Sequence, residues 1–409
     1  MNLPIYLDNH ATTMVDPRVV EAMIPCFSTY FGNPSSYLHD FGRKADELVT
    51  VARASVAGLI GAKDPDRELI FTSGATESIN LGLRAAAAHL ARKGRHLITT
   101  AVEHKAVLNT CKYLETQGFT VTYLPVDRFG LVSPGQVSAA LRDDTILVAV
   151  MAANNEVGAL NPVAQIGTLL KDHQALFFVD AAQAVGKIPV SVKDMGVDML
   201  SLSAHKFHGP KGVGALYVRR HGKVSKPEPL FHGGGQERNI RSGTLNVPGI
   251  VGLGVAADIA REEMPASMER IKAMRDHLER RIEAEIEEVV VNGHREQRLP
   301  GNLNVSFTMV EGEGLALRMK ETMGVSTGSA CSSDTLEPSY VLMAMGLDEL
   351  TAHSSIRMGL SKFNTMEEMD LVADRLAKEV PLLRSMSPLW QMKKDGVDLS
   401  TIHWTEDHH

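Results

Sequence analysis

Six short, largely apolar runs punctuate the first half of the chain, and most give way to a polar cluster and then to a helical pattern. Leu69–Phe71 leads into TSGATESINLGL, His96–Thr100 into AVEHKAVLNTCKYL, and Ile146–Met151 into AANNEVG. Leu176–Val179 ends at Asp180 in FFVDAAQAVG, Met199–Leu202 stops just before Lys206, and Val213–Val218 follows. Runs of this length and character read as strands buried on both faces, and helices between them make the sheet mostly parallel. The fold class is therefore α/β. An open α/β sheet takes its ligand at the carboxyl edge of the strands, where loops and helix N-termini converge. Thr76, His104, Asn155, Asp180 and Lys206 all follow strand ends, so they are candidates for one site.

From about Arg261 the texture changes. REEMPASMERIKAMRDHLERRIEAEIEEV is charged, with Met268, Ile271, Met274 or Arg275, Leu278, Ile282 and Ile286 near helical spacing. It reads as a long surface helix opening a second, α+β domain that includes the strand GNLNVSF (Gly301–Phe307). The 409 residues are enough for two domains, and a formal charge of −7 argues against general nucleic-acid binding. No apolar run approaches the roughly 20 residues of a membrane-spanning helix. The first residues, MNLPIYLDNHATT, do not read as a signal or transit peptide. Three distant cysteines, none in a CxxC pattern, point to a reducing, cytoplasmic setting without a resident metal.

Each candidate residue has a sharp and a plain reading. Lys206 lies in SLSAHKFHGPKG between His205 and His208. A desolvated lysine at a strand end suits a Schiff base, whereas a basic surface turn is the alternative. Asp180 suits the ring nitrogen of pyridoxal phosphate (PLP), or it caps the segment that follows. SGATES (Ser73–Ser78) offers free N–H groups and the Thr76 hydroxyl to a phosphate, or forms a capping box. His104 could stack on a heteroaromatic ring or cap a helix. Thr244, after GGGQERNIRS, could add a phosphate hydroxyl or belong to a flexible loop. Arg357 could fork a substrate carboxylate or form a structural ion pair. Cys331, among small polar residues in STGSACSSDTLEPSY, reads as an exposed nucleophilic thiol; Cys26 and Cys111 have apolar neighbours and read as structural.

Together and in order, YLDNHATT, FGNPSS, FTSGATES, AVEHKAVL, NNEVG, VDAAQ, SAHKFHGPKG, GGGQERNIRSGT, GSACSS, LEPSYVL and HSSIR resemble the PLP-dependent cysteine desulfurases of the IscS/NifS type, within the class V aminotransferases. The resemblance covers nearly the whole chain. It implies the fold type I PLP-dependent transferase architecture: a large domain at 16–261 with a mostly parallel seven-stranded sheet, and a smaller α+β domain from 1–15 and 262–409. The smaller domain would carry the cysteine loop at about 325–336 and a C-terminal tail that docks an iron–sulfur scaffold protein. Lys206 would hold PLP as a Schiff base, His104 stack on its ring, and Asp180 pair with its nitrogen. Gln183 and Asn155 would lie near the ring oxygen and substrate. Ala75, Thr76, Ser203 and His205 would hold the phosphate, joined by Thr244 of a neighbouring subunit in a homodimer. Arg357 and Asn155 would bind the carboxylate of L-cysteine. Cys331 would take the sulfur as a persulfide, leaving L-alanine, and could transiently ligate a cluster shared with the scaffold. Sulfur would serve iron–sulfur cluster assembly and tRNA thiolation, and frataxin-like, ferredoxin or sulfur-carrier partners could use the basic stretch Arg219–Lys226. A selenocysteine lyase, and a non-catalytic assembly platform, remain as alternatives.

Overall fold

The computed structural model describes residues 3–223, 226–327 and 337–397. Its main sheet contains β1 (Leu69–Thr72), β2 (His96–Thr100), β3 (Thr120–Leu124), β4 (Thr145–Met151), β5 (Leu176–Asp180), β6 (Met199–Ser203) and β7 (Gly214–Val218), in the order β1-β7-β6-β5-β4-β2-β3. β7 runs antiparallel to both neighbours and the other pairings are parallel. This is the expected mostly parallel, seven-stranded architecture. Every residue of β1, β2 and β4 to β7 is buried. β3, which the apolar runs do not reveal, is a half-exposed edge strand with an interrupted pattern.

Alternate side chains of β5 show how both faces are covered. Phe177 and Val179 enter a core with Val56 and Leu253, whereas Leu176 and Phe178 enter another with Ile79 and Leu83. Burial of each such side chain is worth about 1.5–3 kcal/mol, so the sheet is held between two helical layers.

The charged helix predicted from about Arg261 begins fourteen residues earlier, running Val247–Glu285 with Pro265 inside it. Its first part packs in the core around the main sheet, and Met274, Leu278 and Ile282 pack in a separate core. The expected start fell late because VPGIVGLGVAADIA is too glycine-rich to read as helix. A Cβ at Gly254 would meet Ala52 Cα at 2.5 Å, so glycine there allows close packing on helix Asp40–Ile60. The second core lies against an antiparallel sheet of Ser326–Thr327, Ser355–Gly359, Asn302–Phe307 and Val289–Asn292. Ile5–Tyr6 pairs with Met323–Gly324, and the chain then crosses to the main sheet, where Thr13 N and Oγ1 both donate to His205 O. Among the described residues no helix is long and apolar enough to cross a membrane.

Candidate active site

The carboxyl ends of β1, β2, β4, β5 and β6 surround a cavity of about 410 Å³. Its lining includes Ala75, Thr76, His104, Asn155, Asp180, Gln183, Ser203, His205 and Lys206. Thr12, Glu77, Met151 and Lys211 also line it and were not singled out by motif.

On the β1 side the chain turns at Gly74, whose φ of 150° opens helix Ala75–Leu90 without a side-chain cap. The predicted capping-box alternative is absent here: Glu77 instead accepts from Ser73 N at 2.7 Å. The first N–H groups of a helix have no intrahelical partner, so this uncapped turn presents donors and a partial positive charge to the cavity. A close approach makes the turn possible. A Cβ at Gly214 would fall 2.4 Å from Leu202 O and 2.7 Å from Gly74 Cα.

His104 caps helix Lys105–Thr116, its Nδ1 accepting from Ala106 N at 3.1 Å, and also opens onto the cavity. The helix cap of the plain reading is thus present, and the ring also borders the cavity. Its pKa is lowered, first by desolvation, which favours the neutral ring. At the end of β5, Asp180 Oδ1 accepts from Ser201 Oγ at 2.8 Å and Ala182 N at 3.0 Å. These bonds fix a buried carboxyl group whose residue faces the cavity.

β6 ends at Ser203, and a single 3₁₀ turn, Ala204–Lys206, swings the lysine over the sheet edge. Lys206 Nζ donates to His10 O at 2.7 Å and Ala11 O at 2.8 Å. Beside it, burial holds His205 neutral, with its pKa down to about 4, and its Nδ1 lies 3.1 Å from Thr12 Oγ1.

Arg357 and Thr244 stand apart from the cavity lining. Arg357 Nη2 donates to Asp8 Oδ1 and Ser326 Oγ, each at 2.9 Å, while Nη1 donates to Asn155 O at 3.1 Å. It thus forms the structural ion pair and still reaches the backbone of a cavity residue. Thr244 is exposed on a loop tied to the site by Arg241 Nε donating to Glu77 Oε1 at 2.9 Å. Cys331, most of its loop, and 398–409 of the tail lie outside the described residues. Cys26 and Cys111 are buried, and burial pushes the Cys111 thiol up to about 12, consistent with structural roles. In the basic stretch, Arg219 and Lys223 lie beside Asp198 and Arg220 beside Asp64.

Three polar residues, Glu103 and His10 buried and Lys187 partly so, escaped sequence reasoning. Glu103 receives Thr100 Oγ1 at 2.9 Å and Met151 N at 2.8 Å on Oε1, with Oε2 buried and unpartnered. Burial raises its pKa to about 8. His10 and Lys187 lie behind Gln183. Gln183 and Lys187 are four residues apart, the only hint the sequence carries.

The donor set fits PLP. A cavity of this size is in the range of small-molecule sites. It has an uncapped helix N-terminus for a phosphate, an acid for a ring nitrogen, and a lysine for an aldehyde. Asn155 Oδ1, buried without a hydrogen-bond partner, is an acceptor still requiring a donor.

Fold and site together define a member of the class-V aminotransferases. The family model for aminotransferase class-V matches residues 5–372, and the chain belongs to that family. Its branch is that of the cysteine desulfurases: the chain is 54% identical over 408 residues to cysteine desulfurase IscS of Anaeromyxobacter dehalogenans, covering 100% of both chains. Among solved structures, a NifS-like protein superposes with a TM-score of 0.86 at 41% identity, covering 93% of this chain and 100% of the other. SspA in complex with cysteine gives 0.77 at 39% identity, covering 88% of this chain and 100% of that one.

Proposed function

We propose that the chain converts L-cysteine to L-alanine and carries the sulfur as a persulfide on Cys331, with PLP held by Lys206. The observation that carries this reading is the convergence of Lys206, Asp180, His104 and the uncapped helix N-terminus on one cavity. When bound, PLP supplies an electron sink for the charge left at the substrate Cα.

The protein residues divide the remaining work. Ala75 and Thr76, with Ser203 and His205, would hold the phosphate; a neutral His205 would contribute a hydrogen bond without a charge. Asp180 would keep the ring nitrogen protonated, His104 would stack on the ring, and Gln183 and Asn155 would serve the ring oxygen and substrate. Asn155 and Arg357, whose buried Nε has no partner, receive the substrate carboxylate. The Lys206 amine would move the Cα proton. The Cys331 thiolate attacks the substrate sulfur: an S–S bond forms, the Cβ–S bond breaks, and Cβ gains a proton. Cysteine and one thiol thus become alanine and one persulfide, with sulfur oxidised and Cβ reduced.

The same reading makes the chain a cytoplasmic homodimer in which Thr244 reaches the neighbour's phosphate. Exposed Ile24, Phe27, Phe31, Tyr37, Leu38 and Phe41 support a covered apolar face. The tail from Ser387 would dock an iron–sulfur scaffold protein, and Cys331 would transiently ligate a cluster shared with it. Acceptors for tRNA thiolation, and frataxin-like or ferredoxin partners, belong to the same proposal. The decisive experiment is borohydride reduction of the yellow protein, then peptide mapping. A pyridoxyl adduct on the Lys206 peptide is expected; an adduct elsewhere, or none, overturns the assignment.

A further inference from the structure

The loop that ends at Thr244 passes through three consecutive residues in the left-handed region, Glu237, Arg238 and Asn239, at φ of 44°, 58° and 63°. L-residues visit that region singly and at a cost, so a run of three persists only where contacts over-determine it. The contacts here reach β1. As an edge strand, β1 has one side of its main chain without a strand partner. The Glu237 carboxylate takes that place. Its Oε2 accepts from Phe71 N at 2.8 Å and from Arg53 Nη1 at 2.9 Å, and its Oε1 accepts from Arg53 Nη2 at 2.5 Å. Leu69 O accepts from Arg53 Nη1 at 3.0 Å and from Arg238 Nη1 and Nη2, each at 3.2 Å.

Just past the turn, Ile240 is buried in the core that holds Ile79 of helix Ala75–Leu90. Arg241 then reaches the first turn of that helix. Its Nε donates to Glu77 Oε1 at 2.9 Å and its Nη2 to Glu77 Oε2 at 3.4 Å. Glu77 Oε2 also accepts from Ser73 N at 2.7 Å. Residues 237–241 therefore grip the chain at Phe71 and at Glu77, on either side of the turn at Gly74.

We propose that Arg241 is a positioning residue for the turn that would receive the PLP phosphate: it fixes and neutralises the Glu77 carboxylate beside that turn, and the left-handed turn pinned to β1 sets where it acts. The inference rests on the proposed phosphate site at Ala75 and Thr76 and extends it to a residue outside the cavity lining.

The charge on Glu77 makes the need specific. Among the described residues, the charged side chains that line the cavity are Lys206, Lys211, Asp180 and Glu77. Of these, Glu77 belongs to the helix whose N-terminus offers the N–H groups. An anion there suits the helix dipole, yet it repels a phosphate brought to the same end. Pairing with a guanidinium offsets that repulsion, and the carboxylate remains an acceptor that holds Ser73 N. A solvated pair would be screened and worth little. In this one the side chains are 25% and 9% exposed, so screening is incomplete.

The test compares PLP with pyridoxal, which lacks the phosphate, by titrating the full-length protein after removal of bound cofactor. The wild-type chain should prefer PLP. In Arg241→Met that preference should fall about tenfold, as for a buried charge left without its partner, while pyridoxal affinity stays unchanged. Adding Glu77→Gln removes the orphaned charge and keeps an acceptor for Ser73 N. The preference should then return to within about threefold of wild type, a coupling that a damaged loop would not produce. Arg241→Lys disturbs the loop less and keeps a cation for Glu77, so it too should stay within about threefold. An unchanged preference in Arg241→Met, no rescue by Glu77→Gln, or a full loss in Arg241→Lys overturns the role of Arg241. A wild-type chain with no preference for PLP over pyridoxal overturns the phosphate site and this inference with it, an outcome distinct from failure of Arg241 alone.

Discussion

Replacing Glu103 by Gln should stabilise the protein at neutral pH and lose that advantage in mild acid. Glu103 is fully buried between β2 and β4, with one carboxyl oxygen unpartnered. Desolvation first, and then repulsion from Asp180, hold its pKa at about 8, from an ordinary 4.5. The folded state therefore keeps a proton that the unfolded chain has already released above pH 4.5. Where the folded state binds more protons, stability falls as pH rises. The stabilisation is complete below the unfolded value and is lost progressively until the pH passes the folded value. Between pH 5 and pH 7 this single group should remove about 2 kcal/mol. Gln copies the protonated acid in shape and cannot ionise, so its stability should lack that component. The assay is urea unfolding of both proteins in the same PLP-loaded state at pH 5, 6, 7 and 8. The difference in unfolding free energy should grow in favour of Glu103→Gln with each step. A difference that stays flat, or that favours Glu103 at higher pH, refutes a proton held on this carboxyl.

The remaining predictions concern other links in the argument. Cys331→Ala should retain PLP and bind cysteine, yet release sulfide at least ~100-fold more slowly under reducing conditions; an unimpaired rate would exclude that thiol as nucleophile. Gly214→Ala should cost about 1–3 kcal/mol from overpacking against Leu202 O and Gly74. It should also weaken PLP binding, measured by fluorescence titration, and unchanged values for both would show that the turn tolerates a side chain. Arg53→Met removes the partner of buried Glu237, whose Oε1 accepts from Arg53 Nη2 at 2.5 Å and whose Oε2 accepts from Phe71 N at 2.8 Å. A loss of about 3–5 kcal/mol is expected, seen as a lower urea midpoint, because a buried charge is left uncompensated.

Legibility in the sequence followed the burial of each element. β4, β5 and β6 were visible because strands covered on both faces carry unbroken apolar runs. β3 was hidden because it is half-exposed and its apolar pattern is interrupted, unlike β1, which is fully buried at the other edge. The start of the long helix was hidden by glycines that close packing demands but helix propensity penalises. At the site, Lys206, Asp180 and Thr76 follow strand ends and could be found by topology alone. Glu103 sits three residues past the end of β2, but a glutamate beside a histidine looks like a solvated turn until the fold buries it. Lys187 looks like a surface lysine for the same reason.

The alternation of buried strands with helices, the sheet edge that lines the cavity and most of the residue types gathered there were contained in the chain's own pattern, whereas the order of the strands was not. Apolar periodicity and strand-end polarity are local properties, and the rule that ligands bind beyond strand carboxyl ends converts them into a site. The tertiary structure decided which polar groups lose water. Lys187, His10 and Glu103 owe their shifted proton affinities first to desolvation and then to charged neighbours distant in sequence, such as Lys187 beside His10 and Asp180 beside Glu103. Desolvation and charge proximity are properties of three-dimensional packing, so no local spacing could have announced them.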